Sequence, residues 1–276
     1  MTYATFEHES KIYSGVIKDG KAYPLGTDLL SLIRGEKVNY QFDNGFPIEK
    51  ISYKAPFQPF RNVFCVGKNY VEHAKEVSAT KLDTQGTDML PKNPVFFSKA
   101  VCPATGDGDD IMLSGVTERG DYEVELAIII GKKAKNVAEK DAQSVIFGYT
   151  VLNDVTARDL QTKHGQWFLG KSADTFCPFG PVVVSADEIP YPPALNISCR
   201  VNGQTRQSSS TDALIFSVSR LIADITRGTT LFPGDVISTG TPSGIGSAMS
   251  PPVFLKAGDV VECEIEKIGI LTNYCK

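Results

Sequence analysis

Short stretches rich in β-branched and aromatic residues recur along most of the chain, and they predict a protein built mainly from strands. The first two, Tyr13–Lys18 and Lys21–Leu25, flank Asp19-Gly20, a dipeptide typical of a two-residue hairpin turn. Helical periodicity is rare, so the predicted fold class is α+β, mostly β. The other predicted strands are Asn62–Val66, Pro94–Ser98, Glu123–Ile130, Val145–Leu152, Val182–Val184, Asn196–Val201, Asp235–Thr239 and Val260–Ile265.

Prolines at positions 47, 56 and 59 interrupt the pattern and predict a boundary between a small β-rich N-terminal domain, residues 1–60, and a large domain, residues 61–276. Asp28 is the expected N-cap of the first helix. Ala79–Pro91 is polar and has no apolar periodicity, so residues 77–92 are expected to form a loop that could act as a lid. The predicted helices are Leu29–Arg34, Tyr70–Val77, Ala138–Ser144 and Asp212–Thr226.

Composition and charge exclude several classes of protein. With 28 basic against 32 acidic residues, the chain lacks the basic surplus of a nucleic-acid-binding protein. Its longest apolar run, around Leu126–Ile130, is far shorter than the ~20 residues of a membrane helix. The N-terminal residues include acids and lack a signal peptide's apolar stretch, so we expect a cytoplasmic protein. Six scattered cysteines without a CxxC pair are expected to be small buried hydrophobes, and neither disulfides nor zinc ligands.

The histidine count limits the metal chemistry that the chain can support. His8, His73 and His164 are its three histidines, so a multi-histidine metal centre is not expected. A bound metal would be held mostly by carboxylates, the ligands that suit hard cations. For His8 and His164 the sequence assigns no role.

Two glutamates lead into the most apolar predicted strand. Because strand side chains alternate, Glu123 and Glu125 share one face, and Val124 belongs to the other. Two carboxylates this close repel each other unless a cation lies between them. One interpretation is therefore a metal site, and the other is a solvent-exposed end of the strand.

An acidic residue also follows the predicted strand Val145–Leu152. If a helix begins there, Asp154, Arg158 and Gln161 lie on one of its faces. Asp154 could cap that helix, or it could add a third hard oxygen ligand to those of the two glutamates. The second alternative gives a site suited to Mg²⁺ or Mn²⁺ with open positions for substrate and water.

A histidine and a glutamate three residues apart follow the predicted strand that ends at Val66. On a helix His73 and Glu76 are neighbours, and a carboxylate beside an imidazole orients the ring as a general base. The alternative is an ordinary polar pair on an exposed helix. The polar loop that follows favours the catalytic interpretation.

Two further segments are rich in glycine. Gly165–Ser172 matches the pattern GxxxxGK[ST] of phosphate-binding loops, but its interior is bulky and the two prolines in residues 173–181 exclude a following helix. Nucleotide binding is therefore not expected, although Lys171 within this apolar stretch needs anionic partners if it is buried. The turn Ser238–Gly246 is either structural or presents backbone N–H groups to a carboxylate.

Taken together and in this order, six stretches resemble the fumarylacetoacetate hydrolase superfamily. They are VFCVGKNYVEHAKE, DYEVELAIIIGK, GYTVLNDVTARDLQ, GKSADTFCPFGP, VNGQTRQ and STGTPSGIG. The resemblance runs from about Arg61 to the C-terminus and implies a mixed β-sandwich roll. The first sixty residues resemble the small N-terminal domain of the family more loosely. Family members are commonly homodimers, so the same state is expected here.

The resemblance also implies roles for individual residues. A Mg²⁺ or Mn²⁺ ion would be held by Glu123, Glu125 and Asp154, and a lid would carry His73 and Glu76. The implied catalytic and substrate contacts are Lys171, Arg158, Gln161 and the backbone at Thr241, with Lys68 and Tyr70 as further candidates.

Two positions depart from the family pattern. Val124 stands where a small residue is usual, and we expect a difference in packing without loss of metal binding. Lys68 replaces an arginine found in many relatives, which exchanges a bidentate fork for a point charge near the distal end of the substrate.

The implied chemistry is cleavage of a small 2-oxo acid through a metal-stabilised enolate, with Lys171 adding positive charge and His73 activating water. Acylpyruvate hydrolase and oxaloacetate decarboxylase are the leading predictions. The alternative enzyme is an isomerase or tautomerase of hydroxymuconate- or hydroxyheptadienedioate-type acids. A catalytically silent oxo-acid-binding paralogue is the alternative outside the enzymes. His73, Glu76 and Lys171 argue against it, because a pure binder needs no base.

Overall fold

The computed structural model describes residues 1–80, 90–101 and 103–276. Most of the expected loop lies outside these residues, and so does Cys102. The expected role of that loop as a lid therefore stays a prediction. The strands of the first half are β1 (Thr2–His8), β2 (Lys11–Lys18), β3 (Lys21–Pro24), β4 (Phe46–Pro47), β5 (Ser52–Lys54), β6 (Val63–Gly67), β7 (Val95–Lys99), β8 (Asp110–Ile111), β9 (Gly120–Asp121) and β10 (Val124–Ile130). Those of the second half are β11 (Ile146–Asn153), β12 (Thr156–Ala157), β13 (Phe179–Ser185), β14 (Asn196–Val201), β15 (Gln204–Ser210), β16 (Val236–Ser238), β17 (Val260–Ile265) and β18 (Gly269–Cys275).

Helices are few and short, as the sequence predicts. The α-helices are α1 (Leu29–Ile33), α2 (Val71–Ser78), α3 (Arg158–Lys163), α4 (Phe168–Lys171) and α5 (Val218–Gly228). The 3₁₀ turns are Ile48–Lys50, Glu139–Val145, Ala186–Glu188, Thr211–Ala213 and Gly246–Ala248.

The described strands form two main sheets and one short ribbon. The large sheet has the order β4-β3-β2-β1-β13-β11-β10-β16-β6-β7, with β5 pairing with β1. The second sheet has the order β15-β14-β17-β18-β8, and β9 pairs with β12. Both main sheets are mixed, because β6 with β16 and β8 with β18 are parallel while their other pairs are antiparallel. The predicted class, α+β and mostly β, is confirmed.

The second sheet packs against the middle of the large one, and β10 lies at the centre of the fold. β10 contacts β14 and β17 across the sheets, while its seven residues are all buried. Val124, Leu126 and Ile128 belong to the core between the sheets. Ala127 and Ile129 belong to a second core on the opposite face. The expected alternation is therefore correct, and Glu123 and Glu125 continue the row of the second face.

The N-terminal residues form strands that continue the large sheet. Asp19 and Gly20 both have positive φ angles, 49° and 73°, which give the predicted two-residue hairpin turn. Asp28 accepts a hydrogen bond from the Ser31 amide and caps α1, as expected. β1 joins this region to the rest of the sheet through its antiparallel pairing with β13.

The structure corrects some predicted elements. Asp212–Thr226 is not one helix, because Ser217 interrupts it and caps α5 by accepting from the Arg220 amide. Ala138–Ser144 forms a 3₁₀ turn, Glu139–Val145. The strands β1, β15 and β18 are absent from the predictions, since their sequences lack a long apolar run. The cysteines at 65, 177, 199, 263 and 275 are free and buried, as expected of small buried hydrophobes.

Candidate metal and substrate site

Three buried carboxylates meet where β10 begins and β11 ends. The two strands are antiparallel and pair Val124 with Asn153, which brings the residues just beyond them together. The Asp154 amide donates to the Glu123 carbonyl at 2.8 Å. Carboxylate oxygens of Glu123, Glu125 and Asp154 lie within 4.8 Å of one another, and all three residues are buried. The solvent-exposed interpretation of the glutamates is therefore wrong. The capping interpretation of Asp154 is wrong too, since Ala157 is the N-cap of α3.

Two buried lysines partly neutralise this triad. Lys171 Nζ lies 2.7 Å from Glu123 Oε2 and 2.7 Å from Asp154 Oδ2, so the anionic partners that Lys171 requires are present. Lys99 Nζ lies 2.7 Å from Asp154 Oδ1 and donates to the carbonyls of Val155 and Lys171. Counted as fully ionised, these three carboxylates and two ammonium groups leave one negative charge, before any metal or the Arg158 guanidinium is counted.

Electrostatics separates the two glutamates. Burial alone would raise the pKa of Glu123, but Lys171 and Arg158 lower that pKa to about 2. Burial, together with the charges of Asp154 and Glu123, raises the pKa of Glu125 well above its usual range. Of the two glutamates, Glu125 is therefore the one whose ionised form a neighbouring cation would stabilise more.

The triad fits a hard divalent cation. Its donors are carboxylate oxygens, which Mg²⁺ and Mn²⁺ prefer. Ser238 Oγ and the Gly240 amide both donate to Oε2 of Glu125, at 2.5 and 2.7 Å. This leaves Glu125 Oε1 without a hydrogen-bond donor among the described residues.

Arg158 connects the triad to its surroundings through three contacts. Its Nη2 donates to Glu123 Oε1 at 2.6 Å, and its Nη1 donates to Gln161 Oε1 at 3.1 Å. Its Nε donates to Asp121 Oδ2 at 2.9 Å. Asp121 also accepts from the amides of Gly246 and Ser247, so it ties α3 to the glycine-rich turn. Arg158 and Gln161 share a helical face as predicted, whereas Asp154 precedes the helix.

His73 and Glu76 form the predicted pair on α2. His73 Nδ1 lies 2.9 Å from Glu76 Oε1, and the imidazole is buried, so the alternative of an exposed polar pair is wrong. Glu76 is held in turn by the Gly244 amide, at 3.2 and 3.0 Å from its two oxygens. The glycine-rich turn does bind carboxylates through its amides, but here they belong to Glu125, Glu76 and Asp121.

A small cavity of about 30 Å³ lies over the triad. Most of the predicted site residues line it, but Glu76, Asp154 and Tyr70 do not. Asp154 and Tyr70 are buried, and Tyr70 forms an isolated β-bridge with Leu214. Thr241 reaches the cavity while its hydroxyl donates to the Val124 carbonyl. The predicted residues that line the cavity are Lys68, His73, Glu123, Glu125, Arg158, Gln161, Lys171 and Thr241. The other lining residues are Val66, Gly67, Val77, Phe97 and Trp167.

Lys99 and Asp121 were missed by sequence reasoning. Asp121 carried a usable signal, because the spacing of 121, 123 and 125 places three acids on one strand face. Lys99 ends a strand that was predicted to stop at Ser98, and its role depends on tertiary contacts. His8 stacks on Phe46 in the N-terminal region, away from the cavity.

Comparisons with known proteins agree with this geometry. Residues 62–275 match the family model described as fumarylacetoacetate (FAA) hydrolase C-terminal. The chain belongs to the fumarylacetoacetate hydrolase family. Two relatives are named oxaloacetate tautomerase. Fahd2a from Rattus norvegicus, a mitochondrial protein, is 44% identical over 82% of this chain and 70% of its own. YisK from Bacillus subtilis (strain 168) is 44% identical over 83% of this chain and 74% of its own.

A solved structure confirms the fumarylacetoacetate hydrolase fold over the whole chain. The fumarylacetoacetate hydrolase EaFAH from Exiguobacterium antarcticum superposes with a TM-score of 0.89 at 41% identity. The match covers 100% of this chain and 99% of that one. The sequence and fold comparisons therefore agree that the chain is a member of the fumarylacetoacetate hydrolase family.

Proposed function

We propose that the protein interconverts the keto and enol forms of a small 2-oxo dicarboxylic acid such as oxaloacetate, through an enolate. The observation that carries the proposal is one cavity lined by His73, Lys171 and two carboxylates of the triad, Glu123 and Glu125. The names of the two oxaloacetate tautomerases support this choice of reaction. A bound Mg²⁺ or Mn²⁺, held by Glu123, Glu125 and Asp154, would supply Lewis-acid stabilisation of the enolate charge.

His73 moves the proton in this proposal. The Glu76 carboxylate accepts from Nδ1–H, which leaves the lone pair on Nε2 of the neutral ring. Nε2 takes a proton from C3 of the substrate, and the same proton is returned to the C2 oxygen to give the enol. The Gly244 amide fixes Glu76 and so fixes the ring. Such a positioned base is worth roughly 10²–10⁴-fold.

Lys171 stabilises the charge that develops on the substrate. Its ammonium lies 2.7 Å from two carboxylates, so its orientation is fixed before the substrate binds. With a divalent cation in place, the triad and its two lysines carry a net charge of about plus one. That sign favours an anionic substrate and its enolate.

Carbon–carbon bond cleavage is the second candidate. The name of EaFAH supports hydrolysis. If His73 Nε2 takes its proton from water, the resulting hydroxide attacks C4 of an acylpyruvate and breaks the C3–C4 bond. Decarboxylation of oxaloacetate needs no water and gives the same enolate. All three candidate reactions would use one site, and they differ in the group that leaves C3: a proton, an acyl group taken by hydroxide, or CO₂.

A side-by-side assay separates these reactions. Protein loaded with Mn²⁺ is given oxaloacetate, acetylpyruvate and a hydroxymuconate, and enol absorbance is followed together with pyruvate formation. We expect faster keto–enol exchange of oxaloacetate without matching pyruvate release. If oxaloacetate releases pyruvate as fast as its keto and enol forms exchange, the reaction is decarboxylation and not tautomerisation. If acetylpyruvate alone is consumed, the reaction is hydrolysis. No turnover of any compound would favour a silent binding protein.

His73→Ala tests the base directly. We expect oxaloacetate exchange to fall by about 10²-fold or more, with Mn²⁺ binding retained, because His73 donates nothing to the triad. Calorimetric titration with Mn²⁺ provides the binding measurement. His164→Ala is the matched control, since the residue ends α3 and does not line the cavity. Unchanged exchange in His73→Ala would remove that residue from the mechanism.

We also propose that the enzyme is a cytoplasmic homodimer. The family resemblance supports the dimer, and light scattering after size exclusion should give twice the mass of the chain. A monomeric mass would contradict it.

Within the described residues, no helix combines the length and the apolar character needed to cross a membrane.

A further inference from the structure

The single buried residue of β15 is polar. β15 lies at one end of the strand order of the second sheet, and Gln207 is 1% exposed, whereas the other residues of the strand are exposed or half-buried. Burying an amide side chain is unfavourable unless its donor and acceptor groups are hydrogen-bonded. Gln207 ends the stretch VNGQTRQ, in which the sequence identifies no site residue. Its burial therefore calls for a specific role of the side chain.

Three hydrogen bonds connect the Gln207 side chain to the start of β10 and to the glycine-rich turn. Its Oε1 accepts from the Val124 amide at 3.0 Å, and its Nε2 donates to Thr241 Oγ1 and to the Pro242 carbonyl, both at 2.8 Å. The orientation of the side-chain amide is fixed, because the Val124 amide can only donate and the Pro242 carbonyl can only accept. The Thr241 hydroxyl in turn donates to the Val124 carbonyl at 3.0 Å. Side chains therefore hold both the amide and the carbonyl of Val124.

These side chains take the place of a neighbouring strand beside the start of β10. β16 pairs with β10 over Ala127–Ile129 and does not extend to Val124. At Val124 the hydrogen bonds of a neighbouring strand are made by Gln207 and Thr241. Val124 also lies between the two glutamates that line the cavity, so the conformation of its backbone determines where both carboxylates lie.

We propose that Gln207 is a positioning residue for the metal site, which holds the backbone of residues 123–125 extended and so aligns both glutamates with Asp154. This inference rests on the proposed function and deepens its cation site. Gln207 does not line the cavity, so it acts through Val124 and Thr241 and not by touching the substrate. Residues that orient metal ligands in this indirect way typically contribute about 10–100-fold to metal affinity.

Gln207→Met removes the amide and keeps the length of the side chain. Calorimetric titration well below the unfolding temperature should show Mn²⁺ binding at least about tenfold more weakly. The electron paramagnetic resonance spectrum of bound Mn²⁺ should change too, because its ligands shift. Gln204→Met is the matched control, since Gln204 is exposed on the same strand, and Mn²⁺ affinity should stay within about twofold of wild type. A lower Tm of Gln207→Met with unchanged Mn²⁺ affinity would assign Gln207 a purely structural role and overturn the inference.

Thr241→Val is a second variant that disturbs the network less. It removes the hydroxyl that accepts from Gln207 and donates to the Val124 carbonyl, and it keeps the size of the side chain. We expect Mn²⁺ affinity to fall by about threefold or more. The double variant should bind Mn²⁺ no more than about twofold more weakly than Gln207→Met alone, because both residues act on Val124.

Two results with these variants would contradict the inference. Additive losses in the double variant would show that Gln207 does not act through this network. If Gln207→Met does not fold, Thr241→Val decides alone, and wild-type Mn²⁺ affinity in that variant would overturn the positioning role.

Failure of the proposed function gives a different result, because Mn²⁺ titrations do not depend on turnover. If Gln207→Met loses Mn²⁺ affinity and wild-type protein does not turn over oxaloacetate, the positioning role stands and the reaction is wrong. If wild-type protein turns over oxaloacetate and Gln207→Met binds Mn²⁺ normally, the reaction stands and the positioning role is wrong. If wild-type protein does not bind Mn²⁺, both are wrong.

Discussion

Single residues in this site act mainly through charge. Asp154 is fully buried and is held by two lysines, one on each oxygen. Burying a carboxylate is costly unless paired cations and hydrogen bonds repay the lost hydration. Lys99 and Lys171 thus make it possible to bury a carboxylate at this position. The same two charges limit how negative the triad becomes before a cation binds.

Lys99→Met should be strongly destabilising. The substitution removes the ammonium group beside Asp154 Oδ1 and leaves that buried oxygen without a cation. Breaking a buried ion pair in this way lowers the free energy of unfolding by about 3–5 kcal/mol. Urea unfolding measures the loss. Lys92→Met is the matched control, because Lys92 is exposed shortly before the same strand, and its urea midpoint should stay near the wild-type value. A Lys99→Met midpoint equal to that of the control would show that the ion pair contributes nothing to stability.

The residues that sequence reasoning found differ in one property from those it missed. His73 and Glu76, or Glu123 and Glu125, are visible because their partners lie two or three positions away. Lys99 has its partners more than fifty positions away, at Val155 and beyond. Spacing rules describe a helix or a strand, and they contain no information about which strand ends later meet. The family resemblance supplied that information for Lys171, which contacts Asp154 across 17 positions and Glu123 across 48.

At the scale of elements, the glycine-rich turn after β16 organises the site. Its amides hold Glu125, Glu76 and, further on, Asp121, so one turn orients a carboxylate of the triad, the partner of His73 and the partner of Arg158. Gly240 has a φ of 104°, which favours glycine, and a Cβ there would lie 2.7 Å from that of Asn69. The turn therefore depends on this glycine both for its conformation and for its space.

Gly240→Ala tests the turn. Strain and steric overlap should destabilise the protein by at least about 2 kcal/mol and weaken Mn²⁺ binding, because the amide that holds Glu125 is displaced. Thermal unfolding and Mn²⁺ calorimetry give the two values. Gly228→Ala is the control: it ends α5, has open space around a Cβ, and should be neutral or slightly stabilising. Normal Mn²⁺ affinity in Gly240→Ala would mean that the turn does not position the glutamate.

Local signals predicted elements well where the signal lies within the element. The Asp19-Gly20 hairpin and the Asp28 cap are examples, since the turn and the cap are completed by nearby residues. β15, with the sequence Gln-Thr-Arg-Gln-Ser-Ser-Ser, has no apolar pattern and is a strand because it pairs with β14. In the predicted helix Asp212–Thr226, the cap at Ser217 was available in the sequence, but hydrophobic residues before it suggested a longer element.

For the whole molecule, the site links the middle of the large sheet to the segments packed around it. The triad joins β10 to the end of β11, Lys99 comes from β7, and Lys171 ends α4. A cation bound there would connect these parts of the fold while neutralising three carboxylates. Metal binding should therefore stabilise the protein as a whole as well as prepare it for catalysis.

Removal and return of the metal tests this link. With Mg²⁺ or Mn²⁺ at a hundred times its dissociation constant, mass action adds about 2.7 kcal/mol to the free energy of unfolding, and Tm rises by several degrees. A chelator should reverse the rise. Glu125→Gln should abolish it, because an amide is a poorer ligand and the charge of Glu125 is lost. Glu49→Gln, at an exposed position of the N-terminal region, should keep the full rise. An equal rise in wild type and Glu125→Gln would place the cation elsewhere and exclude the triad as its site.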